Sequence, residues 1–222
     1  MYDFNAVAWL LCSCVVVRGL YVVVHHLLEP ASSKYASLER GRQMYVQKNL
    51  VKSAYLALLT VYAIWYVVWP AFVDNVWDSV VIHRIAALYV SNDYVGLIFV
   101  PNLPKTTRIH HIVTIVFVFA SFGLDFQDSD IAQAMFVYTL ASASAYLVNF
   151  HLAIRWLCKR KQLAWLRHMA GAIYGTCCGI SWSWHIWWCW TRDTPTIYHL
   201  LYLMLLAWIV WDDIVLMRWL TA

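Results

Sequence analysis

YVSNDYVGLIFVPNLPKTTRIHHIVTIVFVFASF, residues 89–122, is two apolar runs joined by a short basic linker, with Asn92, Asp93, His110 and His111 stranded in or beside them. Extended to the spans 79–100 and 109–124, the first reaches the ~20 residues that a helix needs to cross a bilayer core and the second is short of it. An ionisable group in hydrocarbon costs at least ~2.5 kcal/mol on insertion scales, so such residues face a bundle interior, pair, or serve a function. The stretch therefore predicts two membrane helices and a polar interior between them.

Working outward, five more apolar runs fill the chain, and spans are expected at residues 6–28, 51–73, 79–100, 109–124, 131–154, 166–190 and 197–220. Of 222 residues 63% are apolar and 13% charged, where a soluble domain carries about a quarter charged. The expected fold is all-α, a polytopic membrane protein of about seven transmembrane helices in one bundle. The runs are too long and continuous for a β-barrel, whose strands alternate in polarity over roughly ten residues. Met1–Asn5 has no basic region and no cleavage pattern follows, so the first run is expected to stay as a span. Residues 1–39 are expected to hold that span and an amphipathic connection, and residues 40–222 a six-helix bundle.

Loop charges set the orientation. Lys34, Arg40, Arg42 and Lys48 follow the first span, Lys105 and Arg108 the third, and Lys159, Arg160 and Lys161 the fifth. The opposite loops hold Asp74, Asp78, Asp125, Asp128 and Asp130, with Arg192 their one base. Seven spans with an outer N-terminus place every basic loop on the cytosolic or matrix side. Residues 29–49 form the one long connection and are expected to lie along that surface as an amphipathic helix. The net charge of +4 follows from this topology, which argues against nucleic acid as a partner. No phosphate-binding glycine loop is present, so a nucleotide-driven pump is disfavoured.

Polar residues from five spans fall at one depth, about two turns or roughly 10 Å from the basic side at 1.5 Å per residue. The candidate lipid-binding set is Asn49, Ser53, Asn92, Asp93, Arg108, His110, His111, Ser144, Asn149, Asp212 and Asp213. A histidine beside a carboxylate in a dry cleft is what proton transfer requires. Consecutive residues diverge by about 100° on a helix, so at most one of His110 and His111 is expected to act in the cleft with full effect. The bland alternative is a set of interhelical hydrogen bonds, worth about 0.6 kcal/mol each on average. No paired histidine spacing supports a metal, and none is expected. The six cysteines are read as free thiols in packing roles, the tryptophans from Trp182 to Trp190 as an interfacial belt, and the Ala/Ser alternation of residues 141–145 as close packing. His83, His185 and His199 are read as structural, and Arg18 as interior or snorkelling.

The stretch 89–122 resembles the centre of the TLC-domain family, in which a Tyr/Asp element, a short basic loop and a His-His pair follow one another. QKNLVKSAYLALL from Gln47, SASAYLVNFHLAIRW from Ser142 and LAWIVWDDIVLM from Leu206 resemble further family segments in the same order. The resemblance covers roughly residues 40–220. It implies a helical bundle of the endoplasmic reticulum or another endomembrane, with a lumenal N-terminus, a cytosolic C-terminus and a lipid-facing cavity; the charge pattern alone also admits the mitochondrial inner membrane. Ceramide synthases of this family transfer an acyl group from acyl-CoA to a sphingoid amine, with the His pair and downstream aspartates essential. No His-Asp-x-x-Asp element follows His111, and Ser142 stands where the family has Glu.

Two functions follow as expectations. The first is a non-catalytic lipid-binding bundle, a scaffold or accessory subunit with membrane lipids and membrane proteins as partners and no cofactor. The alternative is an acyl-CoA-dependent lipid N-acyltransferase using His110, His111, Asp93 and Asp212, with acyl-CoA as co-substrate.

Overall fold

The computed structural model describes residues 2–191 and 196–221, and is helical almost throughout. The helices are α1 (Phe4–Ala31), α2 (Ser33–Ala36), α3 (Arg40–Ala63), α4 (Trp69–Val73), α5 (Ser79–Phe99), α6 (Lys105–Ser121), α7 (Asp130–Ala143), α8 (Tyr146–Ile154), α9 (Ala164–Trp190) and α10 (Ile197–Thr221). A π-helical turn, Ile64–Val68, joins α3 to α4 without interruption. Four rods are long and apolar enough to cross a membrane: Phe4–Ala31, Arg40–Val73, Asp130–Ile154 and Ile197–Thr221. Helix α6, at 17 residues, is a turn short of that length, and Asn92 and Asp93 dilute the hydropathy of α5.

The surface is inverted relative to a soluble protein. Leu58 is 72% exposed, Val15 74% and Ile186 69%, while Lys48, Lys52, Asp93 and Asp213 are buried. Such an apolar exterior is what a lipid solvent requires, and packing there comes from close van der Waals contact rather than water exclusion. Small residues make that contact: Ala6, Ala87, Ala132, Ala134, Ala153 and Ala170 are fully buried.

Neighbour contacts close a ring of six rods, running α3, α5, α6, α10, α9 and the α7–α8 pair back to α3. Helix α1 lies outside it, against α5 and α3. Helices α1, α5 and α7 start at one end, each with a side-chain cap: Asp3 accepts from the Ala6 amide, Asp78 from Val80 and Val81, and Ser129 from Ala132. Acidic residues at that end thus have a local cause, because a carboxylate satisfies first-turn amides and complements the helix dipole. At the other end α3, α6 and α9 start without one.

Three expectations change. Residues 29–49 are not one surface helix: α1 runs through Pro30 to Ala31, α2 makes a single turn, and from Arg40 the chain already belongs to the α3 rod. Lys48, read as a loop charge, is therefore buried in the ring. The rod Asp130–Ile154 matches the span expected at 131–154 but is not one regular helix, α7 ending at Ala143 and α8 starting at Tyr146. Ser144 causes this locally, because its amide and its hydroxyl both bond the Ala141 carbonyl in a tightened turn. Within the tryptophan belt, Trp187 and Trp190 are exposed, but Trp188 is buried on Tyr202 and His199. The π turn has a visible reason as well. Pro70 lacks an amide hydrogen and crowds the preceding turn, and a widened turn accommodates it.

Candidate functional site

The α3, α6, α7, α8, α9 and α10 rods meet around a cavity of 320 Å³ at the end where α3, α6 and α9 begin. Its polar wall is built by Lys48, Asn49 and Lys52 of α3, His110 and His111 of α6, and Asn149 of α8. Asp212 and Asp213 of α10, Tyr174 of α9 and Arg155 close it. Lys48, Lys52 and Asn49 fall within two turns of one helix, so the i, i+4 spacing sends both ammonium groups to the same side.

Behind the wall sits Asp93, fully buried. Its Oδ1 accepts a hydrogen bond from Lys52 Nζ and lies 3.3 Å from His111 Nδ1. On the other side of the ring, His111 Nε2 lies 2.9 Å from Lys48 Nζ. An ammonium only donates, so His111 accepts at Nε2 and carries its proton on Nδ1, toward the carboxylate. A chain of four groups results: Lys48, His111, Asp93, Lys52. Counting His111 as neutral and both lysines as charged, the chain holds two cations and one anion. Its surplus positive charge faces the cavity.

Gly96 permits this arrangement. A β-carbon placed there would lie 2.7 Å from Lys48 Cε and 3.2 Å from Cδ, so the lysine stem crosses α5 through the space that a side chain would fill.

A second pair stands apart. His110 Nδ1 is 3.2 Å from Asp212 Oδ2, and no hydrogen bond among the described residues engages His110 Nε2. The two imidazole rings are 5.7 Å apart at 88°, the divergence expected of consecutive residues. Both nevertheless touch the cavity, with His111 capped by Lys48 and His110 open. Neither Nδ1 contact is aligned as a hydrogen bond, and catalytic hydrogen bonds commonly tighten on substrate binding. Asp213 turns the other way: its Oδ1 accepts from the Tyr174 hydroxyl at 2.6 Å, and its Oδ2 has no partner among the described residues.

Of the expected residues, Asn49, His110, His111, Asn149, Asp212 and Asp213 line the cavity, and Asp93 supports it from behind. Four do not join them. Asn92 faces α1, where its Oδ1 accepts from Tyr21 at 2.7 Å. Ser144 bonds its own backbone, Ser53 is buried away from the hollow, and Arg108 is exposed on the outer face of α6. Lys48, Lys52, Tyr174 and Arg155 were missing from the expected set. The Lys-x-x-x-Lys spacing was the signal for the first two.

Comparison with family models, curated proteins and solved structures finds no match.

Among the described residues no group of three or more His, Cys, Asp or Glu side chains gathers to hold a metal, and all six cysteines are free. His83, His185 and His199 are each paired: His83 with Asp3 at 3.1 Å and the Ser121 carbonyl at 2.8 Å, His185 with the Tyr202 hydroxyl, His199 with Asp130 at 3.1 Å. Arg18 lies over the Phe99 ring at 4.8 Å. Arg192 and its neighbours lie outside the described residues.

Proposed function

We propose that this chain crosses the membrane seven times, takes the polar head of a lipid into the ring, and transfers an acyl group to it. Basic loops and the C-terminus face the cytosol, with the endoplasmic reticulum or another endomembrane as its compartment. The observation that carries the reading is the pairing of each central histidine with a carboxylate from a different helix. In the absence of a His-Asp-x-x-Asp element after His111, Asp93 of α5 and Asp212 of α10 supply the carboxylates in this reading. The order of TLC-like segments supports the same reaction class.

In this reading His110 Nε2 takes the proton of the acceptor amine as its nitrogen bonds the acyl carbon, while Asp212 holds the ring and balances the imidazolium. The bond from that carbon to the thiol sulfur breaks, and the proton leaves with the thiol. Lys48 and Lys52 offer positive charge where the oxyanion forms. A cavity of 320 Å³ suits a head group and its first carbons, leaving the chains among the helices.

The test is incubation of membranes carrying the chain with a sphingoid base and a long-chain acyl-CoA. N-acyl product that disappears in His110→Ala is expected. Absence of product from folded wild-type protein would return the chain to the lipid-binding scaffold or subunit reading. One observation favours that second reading: Lys48 covers the only nitrogen by which His111 could reach a substrate.

A further inference from the structure

A second and larger cavity, 640 Å³, opens beside the first, between α8, α9 and α10. Arg155 and Trp219 line both hollows. The rest of its polar wall is His151, Trp156 and Arg167, and no carboxylate lines it among the described residues. Its first property is therefore a concentration of positive charge that no lining carboxylate among the described residues offsets.

Its second property is unspent hydrogen-bonding capacity. Arg155 Nε, Arg167 Nε, Trp156 Nε1 and His151 Nδ1 are all buried from solvent, and none has a partner among the described residues. His151 is 5% exposed. Buried polar groups are rarely left so, and four around one hollow call for a common acceptor. The Arg155 guanidinium also lies near two aromatic rings, 4.9 Å from the Trp219 centroid and 5.3 Å from that of Trp156. Aromatic neighbours limit how the guanidinium can turn, and its planar fork of N–H donors matches two oxygens of one phosphate. Helix α9 begins at this wall with Leu163 and Ala164 and no side-chain cap, so its dipole adds to the same sign.

We infer that this cavity is a binding site for a phosphate group, clasped by Arg155 and Arg167 with His151 and Trp156 completing its hydrogen bonds. Two sources present that chemistry here, the phosphate of a lipid head group and that of a soluble phosphorylated molecule from the basic side. The site goes beyond the transfer reaction proposed above, and a chain without transferase activity would still bind.

The full chain in phosphate-free maltoside micelles is titrated with inorganic pyrophosphate, and separately with short-chain phosphatidate, reading the fluorescence of the tryptophans that line the cavity. Saturable binding of at least one is expected, weakened about tenfold or more in Arg167→Gln and unchanged in Lys34→Gln, an exposed charge elsewhere. Binding of phosphatidate alone assigns the source to lipid, and binding of pyrophosphate alone to a soluble molecule. Arg167→Lys keeps the charge but loses the fork, and decides the matter if the glutamine variant does not fold. The inference is overturned if neither probe saturates folded protein, or if both Arg167 variants bind as tightly as wild type.

Discussion

His–carboxylate pairs occur at both ends of this bundle and do different work. At the capped end, His83 reaches Asp3 and the Ser121 carbonyl, and His199 reaches Asp130, so each ring ties the start of one helix to a neighbour. At the other end, His110 with Asp212 and His111 with Asp93 stand on a cavity wall. Polar atoms remain unspent there, Asp93 Oδ2 and Asp213 Oδ2 among them. The same two side chains form a clip where they are packed between helices, and are open to a ligand where a cavity adjoins them.

That contrast can be broken most forcefully at Asp93. Asp93→Ala leaves Lys52 and Lys48 buried without their countercharge, and a loss of about 3–5 kcal/mol is expected, read as thermal melting in detergent. If Asp93→Ala melts with wild type, the inner charges are not a coupled set. His110→Ala comes next, with transfer activity falling about 10²–10⁴-fold while the melting temperature holds. The outer counterpart, His83→Ala, should invert that pattern, costing about 1–2 kcal/mol of stability with activity unchanged.

Acid sharpens the comparison further. Burial pushes the Asp3 carboxyl up, but the Ala6 amide and His83 together outweigh it and hold it below its ordinary value of 3.8. Asp125, in the nearby loop, is lowered by the Gln127 amide and the Ser79 hydroxyl. Groups depressed in the folded state stabilise it fully above their ordinary value, and that contribution fades as pH falls through the folded one. Hydrogen exchange at residues 2–6 should therefore accelerate below about pH 4, and Asp3→Asn should flatten that dependence. The smallest effect belongs to Arg84, exposed and 5.9 Å from the Trp9 centroid. Arg84→Gln should shift stability by no more than about 0.5 kcal/mol.

The rods were legible because a membrane demands long apolar runs, and residues 79–100 and 197–220 fall almost where α5 and α10 lie. The polar layer was legible for the same reason, since Asp93, His110 and Asp212 are conspicuous against hydrocarbon. Lys48 was misread because a topological rule counts charges near a span end and says nothing of which way a helix face turns. The break at Ser144 was hidden by composition: Ala and Ser at residues 141–145 serve close packing and a tight turn equally well. Asn92 and Asp93 are adjacent, so neighbouring polar residues diverged, one toward α1 and one toward the ring.

The missing β-carbon at Gly96 has a last consequence. Lys48 and Gly96 are fitted to each other across two helices, and a single added methyl presses on the lysine stem and moves the amine relative to the imidazole while leaving every titratable group in place. Gly96→Ala therefore separates what the charges do by being present from what they do by touching.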